Sequence, residues 1–292
     1  MAMSNFVKQR SQARLSILMY HQIGRFAPMR AHRANYCDHR RFARQMAFLR
    51  AGDFRVLSLD DALRCLSGNV PLPARAVVLT FDDAYANFLD YAAPVLAEHG
   101  YPATLYAISE WLGERMRWRD PQPGRACPRL MTGAELRSLR AAGIGVGSHG
   151  CTHQRLAELS VAEQAAELSD SRARLQEVLG EPVRDLCYPF GSFNADSIRL
   201  AAHAGYRSAT TCLRGAASAV DHPLILPRKA ISYGDNLIGY GWKLLVKHAP
   251  KPALQHWRAR VAEFPLTAAD TSPEAKPRDG VLPPRRIITH DS

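Results

Sequence analysis

The sequence predicts an α/β protein built on a parallel sheet with crossover helices, and three observations predict it. Short apolar or β-branched runs alternate with longer stretches of helical pattern. Several of the longer stretches open on side chains suited to capping a helix. The residues able to do chemistry stand directly after the runs, where parallel α/β folds build ligand sites from loops at the carboxyl ends of their strands.

Strands are predicted at 15–20, 55–57, 76–81, 103–108, 144–148, 186–188 and 208–212. Between them, Ser58 with Asp61 resembles a capping arrangement, and Thr132 with Glu135 and Ser160 with Glu163 are capping boxes. In such a box the hydroxyl and the carboxylate satisfy N–H groups that the first helical turn leaves free. The long helix after Ser160 carries Val161, Ala165, Leu168, Arg172, Leu175 and Leu179 at helical spacing, which predicts a core-facing stripe. His21 follows the first strand, Asp82 and Asp83 the third, His149 the fifth and Pro189 the sixth, so four separated segments should converge on one face.

A chain of 292 residues with 47% hydrophobic content can bury a sizeable core, as one large domain or two small ones. The six cysteines are scattered, with no close pair of the zinc-finger or redox type, and read as free thiols in a reducing compartment. Neither a signal-peptide stretch nor a membrane-spanning run is apparent, which points to the cytoplasm. The net charge of +11 suits nucleic acid, an anionic membrane surface or acidic substrates. Because the arginines are spread along the chain without an aromatic platform, nucleic acid is not expected as the main partner.

We divide the chain into a loose arm (1–13), a catalytic domain (14–235) and a basic, Pro-rich appendage (236–292) expected to be partly disordered. In the appendage, Trp242, Leu245 and Val246 flanked by Lys243 and Lys247 are compatible with peripheral docking of 239–261 on an anionic membrane, at the inner face in a cytoplasmic protein. A helix packed on the domain accounts for the same residues and is the simpler expectation.

The chemistry centres on Leu79-Thr80-Phe81-Asp82-Asp83, an apolar run ending in two carboxylates. Adjacent aspartates after a strand can point in different directions, so one can bind a metal while the other takes a proton from water. Alone, the pair reads more simply as a helix cap with an acidic first turn. His149 and His153 stand four apart in Ser148-His149-Gly150-Cys151-Thr152-His153, so on a helical turn both imidazoles can face one ion. Alone, they too read as a surface or hydrogen-bonded pair. With Asp83 they supply two nitrogens and one oxygen, a ligand set with open positions, and the whole reads as a hydrolase.

These motifs, with Tyr188-Pro189-Phe190-Gly191, resemble in order and spacing the first three motifs of the polysaccharide deacetylase family, also called the NodB-homology or carbohydrate esterase family 4 group. Met19-Tyr20-His21-Gln22-Ile23-Gly24 and Ala204-Gly205-Tyr206 resemble its flanking framework, and the likeness covers roughly 15–232. The resemblance implies a distorted (β/α) barrel of about seven parallel strands. It also implies removal of acetyl groups from N-acetylhexosamine units of a glycan, with a divalent ion, usually Zn2+, although Co2+ or Ni2+ suits the same ligands. Carried over by position, Asp82 matches the general base and Asp83, His149 and His153 the metal ligands. The backbone N–H of Phe190 would help hold the developing oxyanion, and Tyr188 and Pro189 would line the substrate. The glycan could belong to an exopolysaccharide or be lipid-linked.

Three positions depart from the pattern. Cys187 stands where the family often has an arginine that orients the base, and a thiol cannot form that salt bridge. Ala84 replaces a frequent glycine after the aspartates, so the turn must be built without one. The late Leu-x-His pattern that supplies a general acid is missing after the final predicted strand, where Leu224-Ile225-Leu226-Pro227-Arg228 stands instead. His21 is then a candidate acid, with a core or hydrogen-bonding role equally open, and Arg228 would contact substrate or form a surface ion pair. Ile287-Ile288-Thr289-His290-Asp291 resembles the missing motif only faintly, and His222 reads as a turn residue.

Overall fold

The computed structural model describes residues 14–118 and 127–261. Its strands, in chain order, are β1 (Ser16–Tyr20), β2 (Gln22–Gly24), β3 (Tyr36–Asp38), β4 (Arg55–Val56), β5 (Ala76–Phe81), β6 (Thr104–Ala107), β7 (Gly145–Ser148), β8 (Asp185–Cys187), β9 (Ser208–Arg214) and β10 (Leu226–Ala230). The helices are α1 (His39–Ala51), α2 (Leu59–Leu66), α3 (Asn87–Tyr91), α4 (Ala93–His99), α5 (Gly133–Ala141), α6 (Val161–Leu179), α7 (Ala195–His203), α8 (Leu237–Leu245) and α9 (Pro252–Val261). Seven strands close into a parallel barrel in the cyclic order β1, β5, β6, β7, β8, β9, β10. β4 adds to the outside of β5, and β2 pairs with β3 in a separate parallel ribbon.

Six of the seven predicted strands lie in the ring, while the one at 55–57 is the short flap β4. The closing strand, β10, was not expected. Pro227 cannot donate to a ladder, and the pairing of β10 with β9 shifts register between Leu226 and Arg228, flanking that proline. Arg228 and Lys229 are both buried although they read as surface charge. Successive side chains of a strand point to opposite faces; the Lys229 ammonium donates to Ser16 Oγ and the Lys243 carbonyl, whereas Arg228 joins the site described below.

The largest core cluster packs α1 and α3 on the barrel wall, with Tyr20 stacked on Phe81 at 5.2 Å and Phe42 and Phe88 edge-on to Phe81. A second cluster of Leu15, Ile17, Val78 and Leu226 with Leu59 and Ala62 of α2 lies toward the amino ends of the strands. Ser58, Thr132 and Ser160 accept from the expected N–H groups, and both halves of the boxes at Thr132 and Ser160 are formed. On α6 the buried stripe is Gln164, Glu167, Leu168, Ser171 and Leu175; Val161 is exposed. The apolar spacing therefore missed three polar residues that face inward.

All six cysteines are free. Among the described residues no helix is long and apolar enough to cross a membrane. α8 and α9 lie on the barrel through Tyr240, Leu244 and Leu254, while the expected arm at 1–13 and residues 262–292 of the appendage lie outside the described residues.

Candidate active site

β5 delivers Asp82 and Asp83 at its carboxyl end, beside the end of β1 and across β6 from the end of β7. The Asp82 N–H donates to the Tyr20 carbonyl, continuing the β1–β5 ladder one residue past the strand. The chain then turns through Asp83 at φ 70° and Ala84 at φ 49°, both left-handed. Among the described residues six non-glycine residues have positive φ, and Asp83, Ala84, His153 and Phe190 are four of them. Backbone strain of this kind, on the order of 1–3 kcal/mol per residue, persists where the surroundings over-determine the conformation. The turn expected to need a glycine is thus made by a strained alanine, held by a bond from Met131 N–H to the Ala84 carbonyl.

His149 and His153 do not share a helical turn; residues 149–155 form a loop after β7. Gly150 at φ 77° starts it, and a Cβ there would stand 3.0 Å from Glu167 Oε2. Glu167, reaching from α6, accepts from the N–H groups of Cys151 and Thr152 at 2.9 and 3.1 Å and from the Thr152 hydroxyl at 2.5 Å. This buried carboxylate shapes the loop that brings His153 back toward His149, and sequence reasoning missed it.

Asp83 Oδ1 lies 3.3 Å from Nε2 of both histidines. It is buried and has no hydrogen-bond partner. Ligand atoms about 2.0–2.1 Å from a tetrahedrally held ion stand about 3.3 Å apart, so the spacing suits a divalent metal without rearrangement. His149 Nδ1 is 2.7 Å from the Cys187 carbonyl, which fixes that nitrogen as an N–H donor and aims Nε2, the nitrogen a metal would take once its proton has left, toward Asp83. Asp82, His149 and Cys187 form a second buried cluster of donors, but the guanidinium of Arg228 already occupies Asp82 and Cys187, and a cation there would meet like charge.

Arg228 is the main departure from expectation. Its side chain is fully buried rather than in a surface ion pair; it lies in the wall of the cavity over the site, and all five of its N–H donors are used within the protein. Nε donates to the Thr211 carbonyl, Nη1 to Thr80 Oγ1 and Asp82 Oδ1, and Nη2 to Asp82 Oδ2 and Cys187 Sγ. The two carboxylate contacts, 2.6 and 2.7 Å, are a bidentate fork. The arginine missing at Cys187 is therefore supplied by β10 from across the barrel, and the short thiol leaves room for it.

Tyr188 and Pro189 are buried, and Tyr188 reaches the wall of the cavity over the site; its hydroxyl donates to the Leu224 carbonyl and its ring stacks on Phe193. The same motif exposes Phe190, in the left-handed region at φ 57°, with its ring 4.4 Å from His153 and under the Arg155 guanidinium. Trp118 flanks His153 at 4.5 Å. His21 lies with Nε2 3.9 Å from Asp82 Oδ2 and a buried, unpartnered Nδ1. His222 accepts from Leu224 N–H in a turn, as expected.

A cavity of about 260 Å³ opens over this cluster, lined by Met19, His21, Asp82, Trp118, Phe190 and Arg214 among others. A larger cavity of about 330 Å³ lies toward the amino ends of the strands, but its arginines 140 and 207 are paired with Glu181 and with Asp60 and Asp185. The chemistry is at the carboxyl ends. There, burial would raise the carboxyl of Asp82, but the Arg228 charge and fork, with His21 and His149, hold it below the usual carboxylate range. Asp83 is likewise opposed by burial and held well below that range by the two imidazoles. His149 is raised despite burial, by Cys187, Asp83 and Asp82, whereas burial wins over the carboxylates at His153 and His21 and lowers both.

Fold and site together define a closed parallel α/β barrel carrying a buried ligand set of one carboxylate and two imidazoles, beside a second carboxylate locked by arginine. The sequence profile of the polysaccharide deacetylase family matches residues 69–209. The chain is 26% identical over 238 residues to YxkH of Bacillus subtilis (strain 168), spanning 82% of this chain and 78% of that protein. The Streptococcus pyogenes deacetylase PplD superposes with a TM-score of 0.69 at 26% identity, covering 80% of this chain and 98% of PplD. A shorter stretch of 68 residues is 35% identical to the poly-β-1,6-N-acetyl-D-glucosamine N-deacetylase of Escherichia coli (strain K12), spanning 23% of this chain and 10% of that enzyme. In sequence profile, in sequence and in fold the protein is thus similar to the polysaccharide deacetylases.

Proposed function

We propose that the protein is a metal-dependent N-deacetylase that hydrolyses the acetamide of N-acetylhexosamine units in an oligo- or polysaccharide, with Zn2+ held by Asp83, His149 and His153. The observation that carries this reading is the division of labour between adjacent aspartates. Asp83 faces two imidazoles, while Asp82 is held apart from them in the fork of Arg228. A scaffold that only binds glycans has no need of a carboxylate kept free and ionised beside a ligand set. Arg228 supplies the guanidinium that a thiol at Cys187 cannot.

The bound ion supplies Lewis acidity toward the acetamide carbonyl and lowers the pKa of water at the site. Asp82 takes a proton from the attacking water as its oxygen adds to the carbonyl carbon. Arg228 keeps both oxygens of Asp82 in place and keeps the carboxyl ionised before substrate arrives. The Phe190 N–H stabilises the oxyanion. When the C–N bond breaks, the proton that Asp82 took from water passes by way of His21, whose Nε2 lies 3.9 Å from Asp82 Oδ2, to the departing amine; Asp82 is ionised again, and acetate and the free amino sugar leave.

The test is acetate release from N-acetylglucosamine oligomers by metal-stripped protein with and without added zinc. Asp82→Asn is expected to lower kcat by about 10²- to 10⁴-fold while zinc affinity, measured by calorimetry, stays within a few-fold. An unchanged rate in Asp82→Asn would sink the mechanism.

A further inference from the structure

α8 has two apolar faces, and only one of them is covered. Tyr240, Gly241 and Leu244 pack inward, with the Tyr240 ring 5.9 Å from Phe48 of α1. Outward, Ile238 is 82% exposed, Trp242 55%, Leu245 52% and Val246 51%, with Leu237 beside them. Positions 238, 242, 245 and 246 fall on one stripe of a helix and its last turn. Five of the eight large hydrophobics exposed among the described residues thus lie within ten residues of chain. Packing on the barrel, the simpler expectation for Trp242, Leu245 and Val246, does not account for them.

The charge around this stripe has one sign. From 236 to 262 the sequence carries Lys243, Lys247, Lys251, Arg258 and Arg260 and no acidic residue. Lys243 is engaged by Asp235 and Arg258 by Asp221, but Lys247 and Lys251 are exposed and have no ion pair among the described residues. A second copy of this chain seated symmetrically on the stripe would bring like charges together. An anionic lipid surface matches both the apolar stripe and its lysines. The stripe also begins near the mouth of the site: Ala230 lines the cavity seven residues before Leu237, and between them the Tyr233 N–H donates to the Arg33 carbonyl beside Ala34 and Asn35, which line it too.

We propose that the exposed face of α8 seats the protein on an anionic bilayer, with Ile238 and Trp242 entering the acyl boundary and Lys247 and Lys251 meeting lipid phosphates. The proposal stands on the surface alone and does not depend on the deacetylase reading. It is tested with the full-length protein by co-sedimentation with vesicles of phosphatidylcholine alone and of phosphatidylcholine mixed with phosphatidylglycerol. Binding to the mixed vesicles is expected to exceed that to neutral ones by about tenfold or more at low salt, with a blue shift of emission that is lost in Trp242→Phe. The double change Ile238→Ser with Trp242→Ser is expected to weaken binding at least about tenfold, and Lys247→Glu with Lys251→Glu to remove the preference for anionic lipid. These side chains are exposed, so melting temperature and acetate release from a soluble oligomer should be unaffected, which keeps failure of docking separate from failure of catalysis. The proposal is overturned if the wild type sediments with neither vesicle, if the Ile238 and Trp242 variant binds as well as the wild type, or if light scattering shows that the stripe instead joins two copies of the chain.

Discussion

Arg228 meets five acceptors with five donors, and the fork it places under Asp82 is a geometry that a lysine cannot reproduce. Arg228→Lys keeps the charge but leaves several of the five acceptors without a donor, so Asp82 is free to rotate and stays buried. We expect kcat to fall at least about tenfold, with little change in KM or in zinc affinity, because orientation of the base is realised in the transition state. Arg228→Met leaves Asp82 as a buried unpaired charge, and urea denaturation should show a loss of about 3–5 kcal/mol at neutral pH. A change of kcat in proportion to zinc affinity would instead place Arg228 with the metal ligands. Asp82, Asp83 and His149 were legible because they stand at the end of an apolar run, and His153 through its spacing from His149, although a loop and not a helical turn brings the two together. The role of Arg228 was not: its partner lies 146 residues away, and a proline and a lysine on either side of it suggest a surface turn.

Among the elements, α6 shows how a helix can shape a loop it does not contain. Glu167 lies on its buried face and binds the 151–152 backbone, and with it the left-handed conformation of His153 becomes tenable. Glu167→Gln retains the shape and one acceptor oxygen but loses the charge that strengthens three contacts. Stability should drop by about 2 kcal/mol, and zinc affinity by about 10- to 100-fold, as for other groups that orient ligands; calorimetry and urea titration read the two separately. Retention of full zinc affinity would show that the histidine loop holds its shape unaided. The helix starts at Ser58, Thr132 and Ser160 were legible because capping is local chemistry. The inward face of α6 was not, because Gln164, Glu167 and Ser171 are buried by satisfied hydrogen bonds rather than by hydrophobicity.

For the whole molecule, the carboxyl ends of β5 and β7 lie on one face of the barrel with β6 between them, so one ion at the site ties together segments that are far apart in the sequence. A ligand that binds only the folded state adds stability as RT ln(1 + [L]/Kd), about 2.7 kcal/mol at a hundredfold excess over Kd. In a chain of this size that is a rise in melting temperature of about 5–10 °C. The pH dependence follows from His149, whose proton is held more tightly than usual by Cys187, Asp83 and Asp82 against the effect of burial. An ion must displace that proton, so zinc binding should release protons and the gain in melting temperature should shrink as pH falls below the raised pKa. The sign is opposite to that of apo folding, where protonation of His149 at low pH is favourable because its pKa is raised in the folded state. Scanning calorimetry with and without zinc across neutral to mildly acid pH checks both. Asp83→Ala should abolish the zinc-dependent rise at every pH, and a rise that persisted in that variant would mean that zinc stabilises the barrel from somewhere else.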